Sequence, residues 1–252
     1  MSKPSKHLDH LLVDWPFSTG QVLVRRTTGA DGRDILQMRV DLGVLQMETS
    51  GRPDGTRFED CETYFDYLQD VAKQEGDGFR LDEQQCNEID REFYQFYHRR
   101  ICWLSLRAYA EAAADADHTL ALMKFSTNHA PEPEWALLHE QYRPFVMFHR
   151  IQAVALQQLE ESEADGALKT IDEGLEALAD VFEQHDASEH YSEDAFVIKL
   201  REMRESIVER YEMEPSLADQ LAEAIAAEQY ELAAELRDRL SNTDEGFGSG
   251  PA

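Results

Sequence analysis

The chain has 252 residues, 42% of them apolar and 10% aromatic, enough to bury a sizeable core in one or two domains and too apolar for general disorder. Its 51 acidic residues against 24 basic ones leave a formal charge of −27, a surface that repels phosphate backbones and disfavours direct nucleic-acid binding. The basic patches are short, Arg25-Arg26 and Arg99-Arg100, and no stretch approaches the roughly 20 apolar residues that span a bilayer.

At the N-terminus, MSKPSKHLDHLL has two lysines with no apolar run behind them, which predicts no secretory leader. HLDHLLVD, residues 7 to 14, forms one or two helical turns before Trp15-Pro16 stops them. QVLVRRTT and DILQMRV read as strands around the hairpin signal GADGR, and LGVLQMET reads as a third, closed by the turn GRPDG. Residues 20 to 50 are therefore expected to be a small antiparallel meander.

From Arg57 onward the apolar spacing is helical. Phe58, Cys61, Tyr64, Phe65 and Leu68 predict one helix that stops at Gly76; a second runs from Asp82 to about Arg107 and a third from 109 to 123. After the breaker NHAPEPE comes a long helix, 135 to 159, bent at Pro144, then helices at 164 to 182 and 193 to 211. The fold class is mainly α (α+β). Its expected parts are a β element at 1–56, a helical body at 57–212, a helical hairpin at 213–243 and a flexible tail at 244–252.

Two stretches of the body are alike. WLSLRAYAEAAADADHTLAL and AVALQQLEESEADGALKTIDEGLEAL each run from an apolar helix through a short turn to a helix bearing an alanine, Ala112 or Ala167. The pattern resembles the tetratricopeptide repeat, which implies a concave protein-binding surface, although the units lie 55 residues apart and lack the full repeat signature. An irregular bundle with alanines in its contacts is the competing reading.

The end of the chain is the most informative. At 100° per residue, Tyr230, Leu232, Ala233, Ala234, Leu236 and Leu240 sweep roughly 200° of a helix, wider than the stripe of an ordinary surface helix, while Glu231, Glu235 and Asp238 take the other side. The preceding SLADQLAEAIAAE aligns Leu217, Leu221 and Ile225 beside Ala218 and Ala222. These two segments make a hairpin too small to hold itself together alone. The helical body, a second copy of the chain or another protein must pack on it. Arg237 falls at the rim beside Tyr230, placed to pair with a carboxylate. Ala233→Glu is expected to weaken partner capture.

The run E-x-Y-E-x-A-A-x-L-R-D, with Leu217, Leu221, Ala224 and Ile225 before it, resembles the UVR motif of the UvrB and UvrC excision-repair subunits and of some Clp ATPases and their adaptors. The resemblance covers about 28 residues and implies a protein–protein module. The chain has no G-x-x-x-x-G-K-[ST] phosphate loop and no CxxC pair.

Other chemistry is poorly supported by spacing. His7 and His10 with Asp9 or Asp14 lack the convergent ligands a metal needs, and His139 and His149 point about 80° apart on one predicted helix. Cys61, Cys86 and Cys102, widely spaced, suit reduced thiols. Asp115/Asp117 and Asp172/Glu173 are acid pairs of the kind 51 carboxylates produce by chance. Arg25, Arg26, Arg33, Arg39 and Asp41 cluster on the meander; Arg39 and Asp41 share a strand face and suit either an exposed surface, an ion pair or a ligand contact.

The expectation is a cytoplasmic, non-catalytic adaptor that needs no cofactor or metal. It binds a protein partner, or itself, through Leu221, Ile225, Tyr230, Ala233, Ala234, Leu236, Arg237 and Leu240. Excision repair and Clp-type proteolysis are the contexts the resemblance implies. The rival is an enzyme with its site between the β element and the body.

Overall fold

The computed structural model describes residues 7–211, 217–227 and 229–245. The chain divides into two compact units, Met1–Leu200 and Arg201–Ala252. No described helix is long and apolar enough to cross a membrane.

The first unit opens with a short helix, α1 (Asp9–Asp14), and a three-stranded antiparallel sheet of β1 (Leu23–Thr28), β2 (Asp34–Val40) and β3 (Gly43–Glu48) in that order. The meander is as its turn signals predict. Gly32, at φ +89°, supplies the left-handed residue of the first turn, where the amide of Gly29 donates to the carbonyl of Arg33 at 2.8 Å. Leu36 and Met47 of the sheet bury against Cys102, Trp103, Ala112 and Ala153 of the helices.

The first body helix, α2 (Tyr64–Glu75), begins six residues later than the apolar spacing predicts. Phe58 and Cys61 pair in an isolated bridge instead, and Thr63 caps the helix by accepting from the Asp66 amide at 3.1 Å. The buried carboxylate of Glu92 accepts from the amides of Tyr64 (2.8 Å) and Phe65 (3.0 Å), completing that N-terminus. Next comes α3 (Glu83–Ser105), started by a capping box between Asp82 and Gln85, then α4 (Tyr109–His129).

The expected long helix with a bend at Pro144 is two helices, α5 (Pro133–Glu140) and α6 (Arg143–Glu160). Pro144 sits in the first turn of α6, where its missing N–H costs no hydrogen bond. The remaining body helices are α7 (Ala164–Gln184) and α8 (Ala195–Arg210), the latter crossing the boundary between units. Asp194 caps α8, accepting from the amides of Phe196 (2.8 Å) and Val197 (3.1 Å).

The two stretches that look alike in sequence turn in the same way. Between α3 and α4 the backbone passes through Leu106 (φ −88°, ψ 0°), Arg107 (φ 58°) and Ala108 (φ −85°, ψ 72°). Between α6 and α7 it passes through Glu161 (φ −81°, ψ 2°), Ser162 (φ 65°) and Glu163 (φ −102°, ψ 64°). Ala112 and Ala167 stand four residues beyond these turns, and both are fully buried.

The second unit holds the end of α8 and two further helices, α9 (Leu217–Ala226) and α10 (Tyr230–Glu245). Residues 246–252, most of the expected flexible tail, lie outside the described residues.

Candidate functional site: the C-terminal hairpin

α9 and α10 pack on each other along their length as a helical hairpin. The amide of Gln229 closes the end of α9 on the carbonyl of Ala224 at 2.8 Å, and Ala233 donates back to Gln229 at 3.0 Å. The seam is made of Ala224, Ala233 and Leu236, all buried, with Leu221 packed against them. Small residues at 224 and 233 allow this close approach.

The seam uses only the middle of the wide stripe. Ile225 remains 55% exposed, Tyr230 69% and Leu232 44%, and Ala234 is exposed too. Helical projection separates these shoulders. In an antiparallel pair, Ile225 lies about 70° from the centre of the α9 seam and Tyr230 about 90° from that of α10, both toward the same side. Ala234 and Arg237 fall on that side as well, and Leu232 on the opposite one. The hairpin thus presents a face of Ile225, Tyr230 and Ala234 rimmed by exposed Arg237, with Glu231 and Glu235 turned away.

The eight residues singled out by sequence therefore divide. Leu221, Ala233 and Leu236 hold the hairpin together; Ile225, Tyr230, Ala234 and Arg237 face outward; the side chain of Leu240 lies outside the described ones. A charge at Ala233 attacks the seam itself, so Ile225 and Tyr230 are the positions that test docking without breaking the hairpin.

The arginines of the sheet are engaged internally. Arg39 is buried and donates to the carbonyls of Trp15 (2.8 Å), Val40, Asp41 (3.1 Å) and Gly43 (2.9 Å), so it locks the turn between β2 and β3. It forms no ion pair with the Asp41 carboxylate among the described residues. Arg26 pairs with Asp34 (2.7 Å), Arg33 with Asp31 (2.6 Å) and Glu48 (2.9 Å), and Arg25 lies over the Trp15 ring at 4.3 Å.

The turn GRPDG is an anchor for the sheet. Arg52, 1% exposed, reaches from it to Glu88 (2.8 Å) and Glu92 (3.4 Å) on α3. Burial raises the Glu88 carboxyl, but hydrogen bonds from Arg52 and Arg91 outweigh it and hold the group below its ordinary range. Arg99 grips Asp115 with two bonds (2.9 and 2.7 Å) and donates to the carbonyl of Gly51 at 2.7 Å. No residue alternation announces that these particular charges are buried.

The histidine and cysteine candidates also have structural surroundings. His139 belongs to α5, meets Asp90 at 2.8 Å and stacks on Phe93 at 4.1 Å; His149 belongs to α6. Burial pushes the Cys86 thiol to about 11 and the Cys102 thiol to about 12, far from the range of a reactive thiolate. Among the described residues, no three His, Cys, Asp or Glu side chains form a group that could hold a metal ion.

Residues 215–243 match the UvrB/uvrC motif, abbreviated UVR. No curated protein and no solved structure matches the chain.

Proposed function

We propose that the chain is a non-catalytic, cytoplasmic adaptor or scaffold that docks a protein partner on the Ile225–Tyr230 face of its UVR hairpin. The observation that carries this reading is the exposure of Ile225 and Tyr230 on one side of a hairpin whose own seam is already closed. Each large apolar side chain left in water forgoes about 2 kcal/mol that a docking partner recovers. Tyrosine is among the residues that dominate interface energetics. A second pair of helices laid across this face would bury both side chains, and Arg237 at the rim would select a partner carboxylate.

The UVR motif takes its name from UvrB and UvrC, which makes excision repair one setting for the partner and Clp-type proteolysis another. The matching turns around Arg107 and Ser162 support a tetratricopeptide-like body that contributes surface to the same complex. Self-association through the hairpin is the form the reading takes if the partner is a second copy.

The test is a double variant, Ile225→Asp with Tyr230→Asp, assayed by affinity capture and light scattering beside a thermal melt. Loss of a partner or of a dimer with an unchanged melt is expected. Unchanged association in a folded variant would remove the reading.

A further inference from the structure

The short basic pair Arg99-Arg100 is one motif that the hairpin does not absorb. Arg99 has its carboxylate, Asp115. Arg100 has none: 1% exposed, it forms no ion pair among the described residues. Its Nη1 donates to the Thr119 hydroxyl at 2.9 Å and its Nε to Nδ1 of His149 at 3.3 Å. The Thr119 hydroxyl in turn donates to the carbonyl of Asp115 at 2.7 Å. Burial and the neighbouring Arg100 and Lys199 hold His149 down to about 3, so the imidazole is neutral and accepts from Arg100 without balancing its charge.

An ion buried without a counterion costs several kcal/mol. The same burial pulls the Arg100 guanidinium down to about 10, although the Asp115 charge works against it. In a chain with 51 carboxylates, a buried arginine left without one of its own calls for an explanation.

Arg100 and Thr119 line a pocket of 690 Å³ formed by α3, α4, α5, α6 and the start of α8. That volume falls inside the roughly 300–1,000 Å³ of small-molecule sites. Its walls include Phe93, Tyr97, Phe145 and Phe196, and Tyr94 and Tyr142, each more than half exposed, stand at the mouth. Phe145 and Phe196 are in ring contact at 5.4 Å, as are Tyr97 and Phe145 at 6.1 Å. His139 also lines the pocket but is held by Asp90 at 2.8 Å. The pocket therefore offers one cation at its buried end and an aromatic sleeve leading out.

We propose that this pocket binds a small organic monoanion, a carboxylate on an apolar aromatic or aliphatic body, with the carboxylate seated on Arg100 and the body against the aromatic walls. A guanidinium fork matches the two oxygens of a carboxylate. A phosphate dianion suits the pocket less well, because no lysine or second arginine lines it to balance a second negative charge. The ligand supplies the missing counterion, and its apolar body displaces water from the rings.

The test is isothermal titration calorimetry of the full chain with 3-phenylpropionate, indole-3-acetate and octanoate, each beside its neutral amide. At least one carboxylate is expected to saturate a single site, with the corresponding amide at least tenfold weaker. Arg100→Met, which keeps the length and removes the uncompensated charge, is expected to abolish that binding while its circular dichroism melt stays the same or rises. If Arg100→Met does not fold, Tyr142→Ala at the exposed mouth takes its place and is expected to weaken the carboxylate severalfold with the melt unchanged. The proposal is overturned if no carboxylate saturates at millimolar concentration, if the amide binds equally well, or if a folded Arg100→Met or Tyr142→Ala variant keeps full affinity.

Discussion

Single residues inside the first unit carry testable weight. His149 is buried and its folded value lies near 3, against 6.5 for an ordinary imidazole. Between those values the unfolded chain binds a proton that the folded chain refuses, so stability is fully present above about pH 6.5 and falls as pH drops toward 3. The loss is at most roughly 4 to 5 kcal/mol. His149→Gln keeps an acceptor for Arg100 and cannot charge, so its melting temperature should decline less between pH 6.5 and 4 than that of the native chain; parallel curves would show that His149 does not govern the acid limb. Glu92 is a second such residue, wholly buried and shared by two helix amides, Arg52 and His118. Glu92→Ala should cost about 3 to 5 kcal/mol, because it takes the acceptor from two buried amides and one of the carboxylates around the buried Arg52 charge, leaving Glu88, and a denaturant titration with less than 1 kcal/mol of change would refute that. Neither role was legible in the sequence. Among 51 carboxylates and nine histidines, burial is decided by contacts between residues 26 to 49 positions apart.

Whole elements were more legible where local chemistry decides them. The three strands follow from their turn residues, signals that act within a few positions, and α3 follows from apolar spacing that starts after Asp82, where the structure forms a capping box. The start of α2 was misread because Phe58 and Cys61 keep a helical spacing although Thr63 and Glu92 cap the chain later. The paired turns at 106–108 and 161–163 could be located only through the alanines four residues on; nothing in Arg107 or Ser162 announces a left-handed backbone. The tight contact of α6 with α7 gives a prediction at this scale. A methyl at Gly174 would come within 2.5 Å of Cδ1 of buried Ile151. Gly174→Ala gains about 1 kcal/mol of helix propensity, yet overpacking costs about 1 to 3 kcal/mol. A lower melting temperature is expected, and a rise would mean that Ile151 yields freely. The hairpin was legible as a wide apolar arc with an ordered motif, but not its division into seam and outward face. That division depends on how α9 and α10 face each other, and one helix read alone shows only the arc. The Arg100 pocket drew on residues from five helices and had no linear signature at all.

At the scale of the whole molecule, charge and apolar surface act together. The chain stands at −27, and residues 215–243 alone carry six carboxylates against two arginines. A partner for this hairpin is expected to bring a basic rim around an apolar centre, so the association rate should fall as ionic strength rises, while the lifetime of the complex changes little. Stopped-flow or surface-based kinetics in rising salt would check this, and a rate indifferent to salt would point to a neutral partner surface. Within that surface the proposed handle is the exposed Ile225–Tyr230 face. The most direct measurement compares, by quantitative mass spectrometry and light scattering, what co-purifies with the native chain and with the Ile225→Asp/Tyr230→Asp variant. A partner, or the second copy in a dimer, should be depleted at least tenfold while the thermal melt is unchanged. The same captured set and the same molar mass for both chains would contradict it.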